Sequence, residues 1–236
     1  MNPFTLLLIL GVAVGLYNLY RRAEYARLNR AVFLCLGLGL IAARLVFITI
    51  RWPYYHINLW EIFQFSAGGL DGCGAFGGVL LGIWLSAAGL KQRFYQLLTR
   101  LAAVYMPVLI AIWLACWLEG IAYGPPITVK ELSWLDWQTP DNPHWPLPLL
   151  AALFLWAYLI WMDRHFMNTI SMKASIFYGL GVIATLVFVT LLRLDEPAPL
   201  WLGIRLDLIG TAGLVIGLGL SWLIDWKLLK GKRYES

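Results

Sequence analysis

The chain has 236 residues, of which 61% are hydrophobic and 13% charged, with a net charge of +5. Its mean hydropathy is +0.72. Soluble domains carry roughly 25% charged residues, so this composition excludes most water-soluble enzymes, disordered chains and secreted disulfide scaffolds.

A bilayer-spanning helix needs about 20 mostly apolar residues. Seven candidate segments meet that need, at 3–20, 31–50, 74–90, 101–121, 147–162, 174–192 and 208–226. The expectation is an all-α, polytopic integral membrane protein with about seven transmembrane helices, folded as a single transmembrane domain over 1–236. The first segment lacks a small-residue cleavage site and is followed by Arg21 and Arg22, so it reads as a retained helix. Several segments are short and glycine-rich, which suits helices packed against each other.

The basic residues set the orientation. The loops after the first, third and fifth segments and the C-terminal tail hold thirteen of the eighteen, from Arg21 and Arg22 to Lys232 and Arg233. The alternate loops hold Arg51, Lys130, Arg193 and Arg205, and Arg44 falls within a segment. Basic residues stay on the cytoplasmic side, so the N-terminus is expected outside and the C-terminus in the cytoplasm.

The unusual residues collect in the outer loops. Loop 51–73 contains Trp52, Tyr54, Tyr55, Trp60 and Glu61; loop 122–146 contains Trp134, Trp137 and Trp145 with five prolines. Tryptophan and tyrosine are enriched at headgroup level, so an aromatic belt explains any one of them.

Four places have chemical potential. Arg44 interrupts the apolar run IAARLVFITI, and an arginine inside a membrane helix needs a partner or an aqueous cavity. It reads as a grip on a lipid phosphate through two hydrogen bonds, as a side chain snorkelling to the nearby outer end, or as a structural pair with Glu61 or Glu119. The stretch from Gly68 and Gly69 through Cys73 and Gly74 to Gly78 reads either as backbone brought close to an anion at a helix N-terminus or as close helix packing of the small-xxx-small kind. Glu119, near the outer end of the fourth segment, is a candidate proton carrier or a partner for Arg44, and Tyr123 a hydrogen-bond donor to a headgroup. Arg193, beyond the sixth segment, reads as an interfacial anchor or a phosphate contact. Cys35, Cys73 and Cys116 show no metal-ligand or disulfide pattern, so no metal and no cofactor are expected, and nucleic acid is not among the expected partners.

Together these stretches resemble the bacterial prolipoprotein diacylglyceryl transferases. Ala43-Arg44-Leu45 is similar to that family's Ala-Arg-Leu. Tyr54, Tyr55 and Glu61 lead into Gly68-Gly69-Leu70 as the family's tyrosine-bearing segment leads into its Gly-Gly motif. Cys116 to Gly124 resembles a divergent form of the signature Arg-x-Gly-Asn-Phe-x-Asn-Gly-Glu-x-Tyr/Trp-Gly. Pro146 and Leu149 fall where the family has His-Pro-x-x-Leu-Tyr-Glu, and Arg193 ends Thr190-Leu191-Leu192-Arg193 in place of Glu-Phe-Phe-Arg.

The resemblance implies a multi-pass protein of the bacterial cytoplasmic (inner) membrane. Its implied reaction moves diacylglyceryl from phosphatidylglycerol to the lipobox cysteine thiol of a preprolipoprotein signal peptide. Arg44, Gly68, Gly69, Gly74 and Arg193 would bind the lipid, with Gly120, Tyr123 and Gly124 shaping the other wall. Glu119, or a thiolate at Cys73, would take the thiol proton. The departures are specific. Cys73 stands in place of a histidine, Trp113 in place of the signature arginine, Cys116 and Glu119 in place of asparagines, Ile121 in place of the glutamate, and Leu150-Ala151 in place of Tyr-Glu. The sixth segment also lacks the family's arginine, and Cys116 with Gly120 and Tyr123-Gly124 resembles a cysteine-bearing subgroup. The alternative expectation is therefore an inactive, transferase-like lipid-binding protein that serves with other membrane subunits in a larger complex.

Overall fold

A computed structural model describes residues 3–22, 24–63, 70–128, 143–166, 169–194, 200–201 and 204–231. Seven long helices dominate it: α1 (Pro3–Arg21), α2 (Tyr25–Ile50), α4 (Gly72–Gly89), α5 (Phe94–Leu118), α6 (Leu147–Phe166), α7 (Met172–Leu192) and α8 (Leu206–Gly231). A short helix α3 (Trp52–Tyr55) and a 3-10 turn (Leu59–Phe63) follow α2. Before α8, β1 (Leu200–Trp201) pairs antiparallel with β2 (Ile204–Arg205), Leu200 opposite Arg205. The architecture is all-helical, and all seven long helices are long and apolar enough to cross a membrane.

Helix ends run past the apolar windows. The second helix begins at Tyr25 and not at 31, so Arg27 and Arg30 lie within it; the last continues to Gly231. Hydropathy detects the part of a helix that sits in hydrocarbon, whereas the backbone ladder continues into the headgroup layer, where charged side chains are solvated. Large apolar side chains point outward along the helices, including Ile9, Leu45, Trp156 and Ile216. That is the expected surface for a protein whose solvent is lipid.

The helices group into two compact units. One comprises Met1–Tyr25 and Thr99–Ala198, the other Ala26–Leu98 and Pro199–Ser236.

In the first unit, α1 meets α5 through glycine. A Cβ on Gly11 would lie 2.6 Å from the Ala111 Cβ, and one on Gly15 2.8 Å from the Val104 Cα. Lipid offers no hydrophobic drive for helices to associate, so small residues that admit close backbone approach hold them together. Between α6 and α7, the Tyr158 hydroxyl donates to the Phe177 carbonyl at 2.7 Å, and its ring fills the space left by Gly181. At one end of this unit, Arg22 pairs with Asp163 at 3.5 Å and Arg100 with Glu24 at 3.4 Å. The C-terminal ends of α1 and α6 thus lie together.

In the second unit, Gly74, Gly78 and Gly82 form a stripe on α4, four residues apart. Their missing side chains make room for Ala42 and Val46, Leu38, and Cys35 of α2 respectively. Against α8, the Trp84 indole donates to the Ser221 hydroxyl at 3.0 Å. Asp225 of α8 accepts the Tyr95 amide at 2.8 Å, and Arg93 donates to the carbonyls of Asp225 and Leu228. The Tyr95 amide at the start of α5 and the Leu228 carbonyl in the last turn of α8 thereby gain partners, as helix ends require.

Candidate functional site

The expected site residues divide between the two units. Arg44, Cys73 and Gly74 lie in the second; Glu119, Gly120, Tyr123, Gly124 and Arg193 lie in the first. Gly68 and Gly69 fall outside the described residues.

Arg44 is 3% exposed. Its Nε donates to the Ile62 carbonyl at 3.1 Å and an Nη to the Glu61 carbonyl at 2.5 Å. Its guanidinium also stands 5.5 Å from the centre of the Tyr55 ring. Arg44 thus meets Glu61 at its main-chain carbonyl and not at its carboxylate. The Glu61 carboxylate accepts the Tyr54 hydroxyl at 2.6 Å, and this bond is the largest influence pushing the Tyr54 phenol above its ordinary pKa. Sequence spacing did not flag Tyr54 and Glu61 as a pair, because they meet across a turn and not along a helix face.

The start of α4 is closed by its own cap. Asp71, in extended conformation, accepts the Gly74 amide on Oδ1 at 2.7 Å, and its own amide donates to the Ala43 carbonyl at 3.1 Å. Aspartate is among the preferred N-caps because its carboxylate satisfies an amide that has no intrahelical acceptor. Gly74 is buried against α2: a Cβ there would lie 2.6 Å from the Ala42 oxygen. The Cys73 thiol faces the first turn of α8, 3.8 Å from the Asp207 carbonyl and 3.7 Å from the Thr211 hydroxyl. Beside it, Arg205 holds Asp207 in a two-pronged ion pair at 3.2 and 2.7 Å. The sequence signal for that pair is an acidic residue in the first turn of a helix, where the positive end of the dipole favours it.

In the first unit, Gly120 ends α5. It has φ +68°; its amide donates to the Trp117 carbonyl at 3.3 Å, and the Ile121 amide donates to the Cys116 carbonyl at 2.9 Å. This is a Schellman termination, which calls for a residue in left-handed conformation and so favours glycine. Glu119 stands at the end of α5, partly buried. The Tyr123 hydroxyl reaches back to the Trp117 carbonyl at 3.4 Å. Gly124 donates its amide to the Trp145 carbonyl at 2.9 Å, and a Cβ there would meet Leu147 at 2.9 Å. Arg193 caps α7, its amide bound to the Val189 carbonyl at 3.0 Å, and the Leu194 amide donates to the Tyr123 carbonyl at 3.0 Å. Tyr123 and Arg193 are therefore neighbours through their main chains.

Between these groups lies an apolar cluster. Ala122, Leu147, Ala151 and Val189 are buried together, with Trp113 and Trp145 packed against them. Two of the positions where the resemblance implies charged groups, 113 and 151, thus share one hydrophobic contact region. Among the described residues, no three of histidine, cysteine, aspartate and glutamate are grouped to hold a metal ion.

No curated protein matches the chain. The family model for prolipoprotein diacylglyceryl transferase matches residues 1–223. With seven spans and this match over nearly its whole length, the chain is a multi-pass membrane protein that belongs to the prolipoprotein diacylglyceryl transferase family.

Proposed function

We propose that the protein transfers diacylglyceryl from phosphatidylglycerol to the lipobox cysteine of a preprolipoprotein, as a single transmembrane domain of the bacterial inner membrane with its N-terminus outside. The family match over residues 1–223 carries this reading. In it, Glu119 accepts the thiol proton, with Cys73 as the alternative base. The thiolate sulfur attacks the glycerol carbon bonded to the phosphate. A carbon–sulfur bond forms, the carbon–oxygen bond breaks, and glycerol phosphate leaves with the electron pair. Arg44 and Arg193 stabilise the charge that grows on the phosphate, a role in which one lost donor costs about 10²–10³ in rate. By the family resemblance, Gly68, Gly69 and Gly74 contribute to binding the lipid, and Gly120, Tyr123 and Gly124 to shaping the site.

One observation favours a second reading. Trp113 and Ala151 join an apolar cluster at positions where the family resemblance implies an arginine and a glutamate. A protein that has replaced these groups by packing would bind lipid without turnover, as an integral subunit of a membrane complex. Purified protein, phosphatidylglycerol and a synthetic lipobox peptide separate the two. Thioether product above the peptide-only background supports transfer. No product, under conditions where an active family member works, overturns it; co-purification of other chains in mild detergent then supports the second reading.

A further inference from the structure

Residues 51–63 leave the end of α2 and turn back along it. The chain exits α2 at Ile50, yet the carbonyls of Glu61 and Ile62 lie within hydrogen-bonding reach of the Arg44 guanidinium. By Asp71 the main chain is bonded to the Ala43 carbonyl. Seven helical residues separate Ala43 from Ile50, a drop of about 10 Å along the axis. At this level α4 begins. Its 18 residues span about 27 Å, close to the roughly 30 Å of bilayer hydrocarbon. The last turns of α2 therefore rise above the hydrocarbon boundary, and 51–63 descends beside them through the headgroup layer.

The most exposed side chains on this descent are large and apolar. Ile57 is 74% exposed, Trp60 77% and Phe63 72%, and Trp52 and Leu59 are more than half exposed. Most polar groups bond within the segment or to α2, while His56 stays exposed beside the Trp52 carbonyl. Arg44 takes the carbonyls, Tyr54 and Glu61 bond together, and Arg51 lies back over the Phe47 ring at 5.1 Å. Such a surface is unfavourable in water and fits the headgroup–acyl boundary, where aromatic side chains are enriched. It is also continuous along the chain with α2, whose Leu40 and Ile41 are exposed and face lipid.

We propose that residues 51–63 form an interfacial hook in the phospholipid bilayer. Ile57, Trp60 and Phe63 sit at the headgroup–acyl boundary, and Arg44 tethers the hook to α2. The proposal does not depend on whether the protein transfers diacylglyceryl.

The full chain carrying Ile57→Cys or Phe63→Cys, labelled with an environment-sensitive fluorophore, tests it in vesicles of phosphatidylethanolamine and phosphatidylglycerol. Ile41→Cys is the lipid-facing control and Lys91→Cys, in the exposed turn after α4, the aqueous one; wild type treated in the same way corrects for native thiols. The expected result is blue-shifted emission at 57 and 63. Lipids with a nitroxide near the headgroup should quench it more than those with a deep nitroxide, and iodide should quench it little. Emission and iodide quenching equal to those at position 91 overturn the proposal. So does protection from both quenchers, which would mean a protein partner or a second copy covers the segment. Two labelling positions on exposed side chains keep the test open if one variant misfolds.

Discussion

The amide of Leu194 donates to the carbonyl of Tyr123 at 3.0 Å. This bond joins the segment just past α7 to the segment just past α5, so Arg193 and Tyr123, far apart in sequence, are held side by side. The neighbourhood consists of main-chain caps around an apolar cluster, and it can be tested piece by piece.

The replacement of charge by packing at 113 and 151 makes the sharpest prediction. Trp113→Arg alone places an unpaired cation against the apolar cluster and should destabilise by about 1–3 kcal/mol, less than a fully buried charge costs because the position is only partly buried. Adding Ala151→Glu should recover part of that loss, with a coupling of about 0.5–3 kcal/mol for residues in contact. Thermal unfolding of the two single variants and the double variant in detergent measures the coupling. Strict additivity would show that the two positions do not meet.

The glycine stripe on α4 predicts a contrast within one helix. Gly78 lies against the Leu38 main chain, whereas a Cβ on Gly77 would meet nothing within 4 Å. Gly78→Val should separate α4 from α2 and cost about 1–3 kcal/mol, as overpacking does. Gly77→Ala should be neutral or slightly stabilising, because alanine is the better helix former. Melting curves of the two variants give the comparison.

Gly120 should tolerate asparagine better than alanine. With φ +68°, a Cβ costs about 1–2 kcal/mol for most residues, while asparagine visits this region more readily. Gly120→Ala should therefore lower the melting temperature more than Gly120→Asn.

The Tyr54–Glu61 bond predicts a titration. Its ordinary value is 10.0, and the Glu61 carboxylate raises it. A phenol whose pKa is higher in the folded state contributes stability that is full below its unfolded value and is lost as pH rises through the folded one. Ultraviolet difference titration of Glu61→Gln against wild type should show one tyrosine ionising at lower pH in the variant. Superimposable curves would mean the bond is absent in solution.

Arg44 should prove as important to structure as to any ligand. Arg44→Ala removes the donors to the carbonyls of Glu61 and Ile62; charge-assisted hydrogen bonds are worth about 1.5–3 kcal/mol. Limited proteolysis should then cut within 51–63 faster than in wild type. Arg44→Lys should protect only partly, since an ammonium cannot reproduce the planar fork.

The seven helices were legible because a span in lipid must be apolar for about 20 residues, whatever else it does. Their ends were less so, as Arg27 and Arg30 inside α2 illustrate. In the site, residue type marked the positions but not their partners. Gly74 stands out as a glycine, yet both close packing and ligand approach call for glycine, and it is the fold that puts Ala42 and Val46 against it. Arg44 needed a partner, but main-chain carbonyls carry no sequence signature. Asp71 sits inside a glycine run, where its position three residues before Gly74 is the cap signal.

That cap alters what an anion would meet at the start of α4. The carboxylate of Asp71 already occupies the Gly74 amide, so a lipid phosphate arriving there would enter by exchange with a resident anion of like charge. Removing the resident's charge while keeping its shape, as in Asp71→Asn, would then weaken the helix end and open it to phosphate in the same step.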